Sequence, residues 1–160
     1  MNPSYFRIKD NLENAIKRLE KWNGRPIKER IRTDYSDAVD NSLNEDEEWK
    51  GACLYVYENN GWTIFEDLTG AYSSIEASNW LKFAGMDSFI FAGYNDAIPY
   101  GEMIALDHGK ILKDFGDDLS DPEFCHDIGD EYQEIKDWTD VAAFVDDDTV
   151  YSDTGILIIC

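Results

Sequence analysis

Long apolar runs, paired cysteines and any arginine beyond position 32 are what this 160-residue sequence lacks. No stretch approaches the roughly 20 apolar residues that cross a bilayer, and Met1 to Asp10 carries polar residues where a signal peptide holds its apolar stretch. A soluble cytoplasmic protein is therefore expected. Cys53, Cys125 and Cys160 are odd in number and widely spaced, which fits neither a disulfide framework nor CxxC metal knuckles, so reduced thiols and no bound metal are expected. The two histidines, His108 and His126, stand beside no plausible serine or cysteine nucleophile in the chain, and a catalytic triad is hard to build. Gly93, Gly101 and Gly109 do not open a helix as a phosphate-cradling loop does. No cofactor is implied.

What is abundant is negative charge, a formal −20 with 43% hydrophobic residues, enough for one core. It is unevenly placed. Through Thr33 nine basic residues outnumber four acids, whereas from Asp34 onward five lysines face thirty acids. An anion of that density is a poor direct ligand for nucleic acid, whose phosphates demand Lys and Arg. The basic N-terminal fifth is expected to rest on the acidic remainder through ordinary surface pairing, not on lipid.

Periodicity points to an α+β fold with a mainly antiparallel sheet in a single domain, 1–160. Ile8, Leu12, Ala15, Ile16, Leu19 and Trp22 recur at helical intervals, which predicts an amphipathic helix over 1–22, opened by Pro3 and stopped at Asn23-Gly24. Arg25 to Tyr35 is ambiguous between a short helix and an extended linker, and 34–48, with six acids after Ser36, reads as an exposed acidic loop. The main body, 50–160, begins with alternating residues 52–57 and 62–65 around Asn59-Asn60-Gly61, a tight hairpin. A helix capped by Ser73 or Ser74 and ended by Gly85 follows, then a strand over 88–94. Strands over 100–106 and 110–115 form a second hairpin through Asp107-His108-Gly109. Asp117 to Asp130 reads as loop, Tyr132 to Val145 as a helix that Asp137 to Asp140 could break, and Gly155 to Cys160 as a buried strand.

Constellations for chemistry are weak. Asp146-Asp147-Asp148 with Asp153 resembles a hard-cation site only in composition, because an EF-hand started at Asp146 meets Tyr151 and Leu157 where Gly and Glu are required. Cys125-His126 has acidic neighbours that raise a thiol's pKa, and adjacent residues of an extended chain point apart. With 34 acids some pair always falls at glycosidase spacing, so spacing carries no signal. The concentration of acids does: residues 116–153 hold fourteen against one lysine. Tyr94, Tyr100, Tyr132 and Tyr151 lie at element ends beside these acids, a composition suited to a protein interface with a charged rim. The expected partner surface is Asp117, Asp118, Asp121, Glu123, Asp127, Asp130, Glu131 and Glu134 with Tyr132, joined by the Asp146-Asp147-Asp148 turn and Tyr151.

The stretch Gly61-Trp62-Thr63-Ile64-Phe65-Glu66-Asp67-Leu68-Thr69-Gly70, then Trp80-Leu81, then Tyr94-Asn95-Asp96-Ala97-Ile98-Pro99-Tyr100-Gly101-Glu102, resembles small bacterial immunity proteins encoded beside polymorphic secreted toxins. Trp138-Thr139-Asp140-Val141-Ala142 and Phe144-Val145-Asp146 extend the resemblance, which spans roughly 50–150. It implies a cytoplasmic antitoxin without catalytic activity that binds one cognate toxin domain, often a nuclease. No contact residue carries over, since such families diverge most where they touch the toxin. An acidic domain complements the cationic cleft a nuclease needs. The alternatives are a small carboxylate- or metal-dependent hydrolase and an acidic DNA mimic; a mimic needs carboxylates spaced along an elongated surface like phosphates.

Overall fold

Strands with apolar residues at successive positions have no face to give to solvent, so the fold must cover both sides of them. The computed structural model describes residues 3–160, and Met1 and Asn2 lie outside the described residues. In chain order the elements are β1 (Ser4–Ile8), α1 (Leu12–Asn23), β2 (Glu29–Thr33), α2 (Tyr35–Asn41), β3 (Cys53–Asn59), β4 (Trp62–Asp67) and α3 (Ala77–Ala84). They continue with β5 (Phe89–Asn95), β6 (Tyr100–Asp107), β7 (Lys110–Asp118), β8 (His126–Ile128), α4 (Trp138–Asp148) and β9 (Gly155–Ile159). One nine-stranded sheet, in the order β2-β9-β3-β4-β1-β5-β6-β7-β8, is antiparallel at every pairing. The fold is α+β, as the hairpin pattern predicts.

Two cores follow from the two-residue period of the strands. On one face Phe6, Ile8, Val56, Phe65, Phe89 and Phe91 pack against Ala15, Ile16 and Leu19 of α1 and Trp80 and Phe83 of α3. On the other, Tyr5, Tyr55, Ile90, Ala92, Met103 and Phe115 meet Ala38 of α2 and Val141 and Val145 of α4. Both predicted hairpins form, the first turning through Asn60 and Gly61 at φ 50° and 80°. That left-handed pair is the reason an Asn-Gly sequence stands there.

Several boundaries move, each for a reason outside the local sequence. The predicted helix over 1–22 begins only at Leu12, capped by Asn11, whose side chain accepts from the Asn14 amide at 2.9 Å. Ser4 to Ile8 is instead a strand between β4 and β5, and Pro3 leads into it, its carbonyl accepting from the Tyr94 amide. Ile8 fits a helical stripe by spacing, but sheet partners more than fifty residues away decide its conformation. Leu12 is half-buried at the helix edge, while Leu19 is fully buried.

The 34–48 loop contains α2, capped by Asp34 and anchored by buried Ala38, and the ambiguous 25–35 stretch supplies edge strand β2. Ser73 and Ser74 do not cap α3, whose N-cap is Glu76; Ser74 sits at φ 60° with its amide on the Glu102 carboxylate. The predicted 117–130 loop is shortened at its start by β7, which runs to Asp118, and interrupted at 126–128 by β8. The helix predicted over 132–145 is not helical at 132–137; Asp137 and Asp140 start α4 at Trp138 as a capping box, and it then extends to Asp148, so Asp146-Asp147-Asp148 is a helical turn.

The basic N-terminal segment docks on the acidic body as expected. Arg18 binds the carboxylates of Asp10 at 3.0 Å and Asp87 at 2.6 Å, and donates to the Phe83 and Ala84 carbonyls at the end of α3. Arg7 reaches the acidic body through Asp148 at 3.0 Å, whereas the pair of Arg30 with Glu13, like that of Arg18 with Asp10, lies within the basic segment itself. No helix among the described residues is long and apolar enough to cross a membrane.

Candidate binding face: an aromatic cleft beside an acidic helix

Helix α4 crosses the strands instead of following one of them. At its start the Trp138 amide donates to Asp117 at 2.8 Å, and Gly101 of β6 lets it press close, since a Cβ there would lie 2.9 Å from the Trp138 Cα. At its end the Tyr94 hydroxyl reaches Asp146 at 3.2 Å, and Asp148 receives Arg7 Nε at 3.0 Å, Arg7 Nη2 at 3.2 Å and the Tyr5 hydroxyl. The chain that follows is tied further along the sheet, with Tyr57 donating to the Val150 carbonyl and Tyr55 to the Ser152 carbonyl at 2.8 Å. A belt thus runs from β7 past β5 and β1 to β3.

Between this belt and α2 the sheet is left uncovered, and a cleft of about 450 Å³ opens there. Tyr5, Tyr35, Tyr57, Trp62, Tyr94 and Tyr151 wall it. Its floor is set by strand register: Glu66 of β4 lies between Tyr55 of β3 and Tyr5 of β1, and Ile64 lies between Tyr57 and Arg7. The Arg7 guanidinium stacks 4.1 Å from the Trp62 ring centre, with its charge answered by Asp148. Glu66 has no such answer. Its hydrogen-bond partner is the Tyr57 hydroxyl at 2.9 Å, and no Lys or Arg pairs with it among the described residues.

Burial pushes the Glu66 carboxyl up against the lowering effect of the Tyr57 bond. Burial likewise raises Glu102, which accepts from the Ser74 amide and the Tyr100 hydroxyl on the opposite face, and Asp67, which caps the turn through Thr69, Gly70 and Tyr72. At His126 burial pulls the ring down, but the Phe124 carbonyl and the Asp114 carboxylate outweigh it and raise the ring. Every one of these groups holds its proton more tightly folded than unfolded. Their stabilisation is full below the ordinary values, about 4 for the carboxyls and 6.5 for His, and is lost as pH rises through the raised ones. Glu13, Asp118 and Asp137, which their hydrogen bonds lower, contribute fully above the ordinary carboxylate range and lose that contribution only as pH falls below it. Tm is therefore expected to fall between pH 5 and pH 8, by about 2–4 °C for each kcal/mol lost, and Glu102→Gln should flatten that slope. A Tm that is level or rises over this range in differential scanning calorimetry contradicts the expectation.

The carboxylates singled out by sequence are sorted by the structure into spent and free ones. Asp117 holds the α4 amide, Asp118 accepts from Ser120, Asp121 accepts from the Glu123 amide, and Asp127 pairs with buried Lys113 at 2.6 Å. Asp146 is bonded to Tyr94 and Asp148 to Arg7. Glu123, Asp130, Glu131, Glu134 and Asp147 are exposed, and no side-chain hydrogen bond or ion pair engages them among the described residues. Tyr132 is half-buried edge-on against Phe144, whereas Tyr151 is 81% exposed at the cleft mouth.

The expected surface is therefore two patches at opposite ends of α4, whose eleven residues span about 16 Å. Among the described residues no three His, Cys, Asp or Glu side chains gather as a ligand set for a metal. His126 is engaged by Asp114 and Phe124, not by Cys125, and His108 stands exposed in its turn.

Tyr5, Arg7, Tyr35, Tyr57, Trp62 and Glu66 escaped the sequence reading of the site. One signal was available: Glu66 shares the inward parity of Trp62 and Ile64 in a strand whose other residues are apolar or buried. No family model, curated protein or solved structure matches the chain.

Proposed function

We propose that the chain is an immunity protein, a non-enzymatic inhibitor that neutralises a secreted toxin domain by covering its cationic face. The observation that supports this most is the juxtaposition at the end of α4. Exposed Tyr151 and Val150 stand beside a tyrosine-walled cleft, Asp146 rims it, and its one arginine is already neutralised by Asp148. An aromatic centre within a charged rim is the anatomy of a protein-binding hot spot. The exposed acids Glu123, Asp130, Glu131 and Glu134 extend the same sign of charge around the other end of the helix. Such a field accelerates encounter with a basic partner.

Glycoside hydrolysis is the second reading, because Glu66 and the Asp148 carboxylate line one aromatic cleft. Asp148, however, is held by both Arg7 and Tyr5, which leaves it poorly placed to activate water or attack a sugar.

The test is binding kinetics against the basic C-terminal domain of the secreted toxin encoded beside this chain, at two salt concentrations. Neutralising Glu123, Glu131, Glu134 and Asp147 to Gln or Asn touches no internal hydrogen bond. It should leave the fold intact while slowing association by about tenfold and flattening its salt dependence. Rates equal to those of the parent chain at both salts count against the reading.

A further inference from the structure

The cleft contains one group that the rest of the fold does not explain. Glu66 sits in the fourth strand of a nine-stranded sheet, with tyrosines as its cross-strand neighbours and no Lys or Arg paired with it among the described residues. Removing a carboxylate from water without a counter-charge is costly, and sheets ordinarily fill such positions with apolar side chains. Here the position faces open space of about 450 Å³, with Asp146 at its rim and aromatic rings as walls.

We propose that this cleft is a receptor for one guanidinium group, an arginine side chain presented by the cationic partner, an inference that rests on the inhibitor reading. Three observations carry it. The Glu66 carboxylate, with no Lys or Arg partner among the described residues, asks for a positive charge. The walls are aromatic side chains, beside which a planar, weakly hydrated guanidinium is held better than a strongly hydrated ammonium. The same chemistry already operates in the same cleft, where the Arg7 guanidinium lies 4.1 Å from the Trp62 ring centre and is clasped by Asp148. Arg7 does not repel the guest decisively, because its charge is matched by Asp148, and Glu66 and Asp146 remain to attract. The inserted group would donate to Glu66 and take the place of water between Tyr5, Tyr57 and Tyr151.

The experiment uses the chain alone, titrated with N-acetyl-arginine-amide, its neutral isostere N-acetyl-citrulline-amide and N-acetyl-lysine-amide, and read at the Trp62 indole resonance by NMR. The arginine probe is expected to saturate the shift and to bind at least about tenfold more tightly than citrulline, a difference of about 1.4 kcal/mol. Glu66→Gln keeps the shape and should lose about the same factor. Tyr151→Ala, at an 81% exposed position, should weaken binding without touching the core. Glu20→Gln on the opposite face of the sheet should leave it unchanged. Equal binding of arginine and citrulline, lysine binding as tightly as arginine, or full binding by Glu66→Gln would each overturn the proposal. The titration needs no toxin, so its failure removes the guanidinium site alone, and the kinetics against the toxin domain decide the inhibitor reading separately.

Discussion

Replacing Phe6 by alanine is expected to cost about 3–5 kcal/mol, a large share of the roughly 5–15 kcal/mol that holds a domain of this kind together. Phe6 is fully buried in β1 and stacks on Phe65 with ring centres 4.7 Å apart. It also meets Trp80 of α3 at 4.9 Å and the edge of Phe83 at 5.7 Å. Truncation leaves a cavity among aromatic rings held from opposite directions by the sheet and by α3, which cannot close over it without moving a helix. Urea unfolding of the variant is the measurement. A loss below about 1 kcal/mol would mean that Ser4 to Ile8 is peripheral, which its pairing with both β4 and β5 contradicts.

Asp127→Ala is the second, and it separates a structural acid from a binding one. Lys113 on β7 is 2% exposed, and its ammonium is answered by the Asp127 carboxylate at 2.6 Å, with the Phe115 ring 5.5 Å away. Taking away Asp127 leaves a buried positive charge with no partner, for an expected loss of about 3 kcal/mol, at the low end for broken buried pairs because Asp127 is 52% exposed. Lys113→Met in the same chain should restore most of that stability, since the aliphatic stem already packs in the core. If Asp127→Ala proved neutral in urea unfolding, Asp127 would return to the free acids of the proposed partner surface. The double variant tells the two apart, because lost partner contacts cannot be recovered by changing a residue buried beneath them.

Sequence alone made several elements legible. The hairpins around Asn60-Gly61 and His108-Gly109 and the helix ended by Gly85 rest on turn chemistry and on periods spanning fewer than ten residues. The buried strand β9 was readable because five apolar residues after a glycine have no polar face. The first strand was misread because Tyr5-Phe6-Arg7-Ile8 is short and mixed, and its last residue happens to continue the stripe of α1. The start of α4 was obscured because Asp137 and Asp140 act through backbone capping, which a pattern of apolar residues does not reveal.

The candidate site divides in the same way. Its negative sign, the density of acids after residue 116 and the tyrosines at element ends are properties of composition, and the sequence by itself determined them. Which acids are free and where the cleft lies were decided only in three dimensions. Asp117, Asp127 and Asp148 are committed to Trp138, Lys113 and Arg7, residues 21, 14 and 141 positions away. Glu66 has no Lys or Arg partner among the described residues because β1 lies beside β4 and brings Tyr5, not a lysine, opposite it. A side chain's charge is written in its own residue, but its desolvation and its partner come from whichever strands and helices the packing of both sheet faces brings against it.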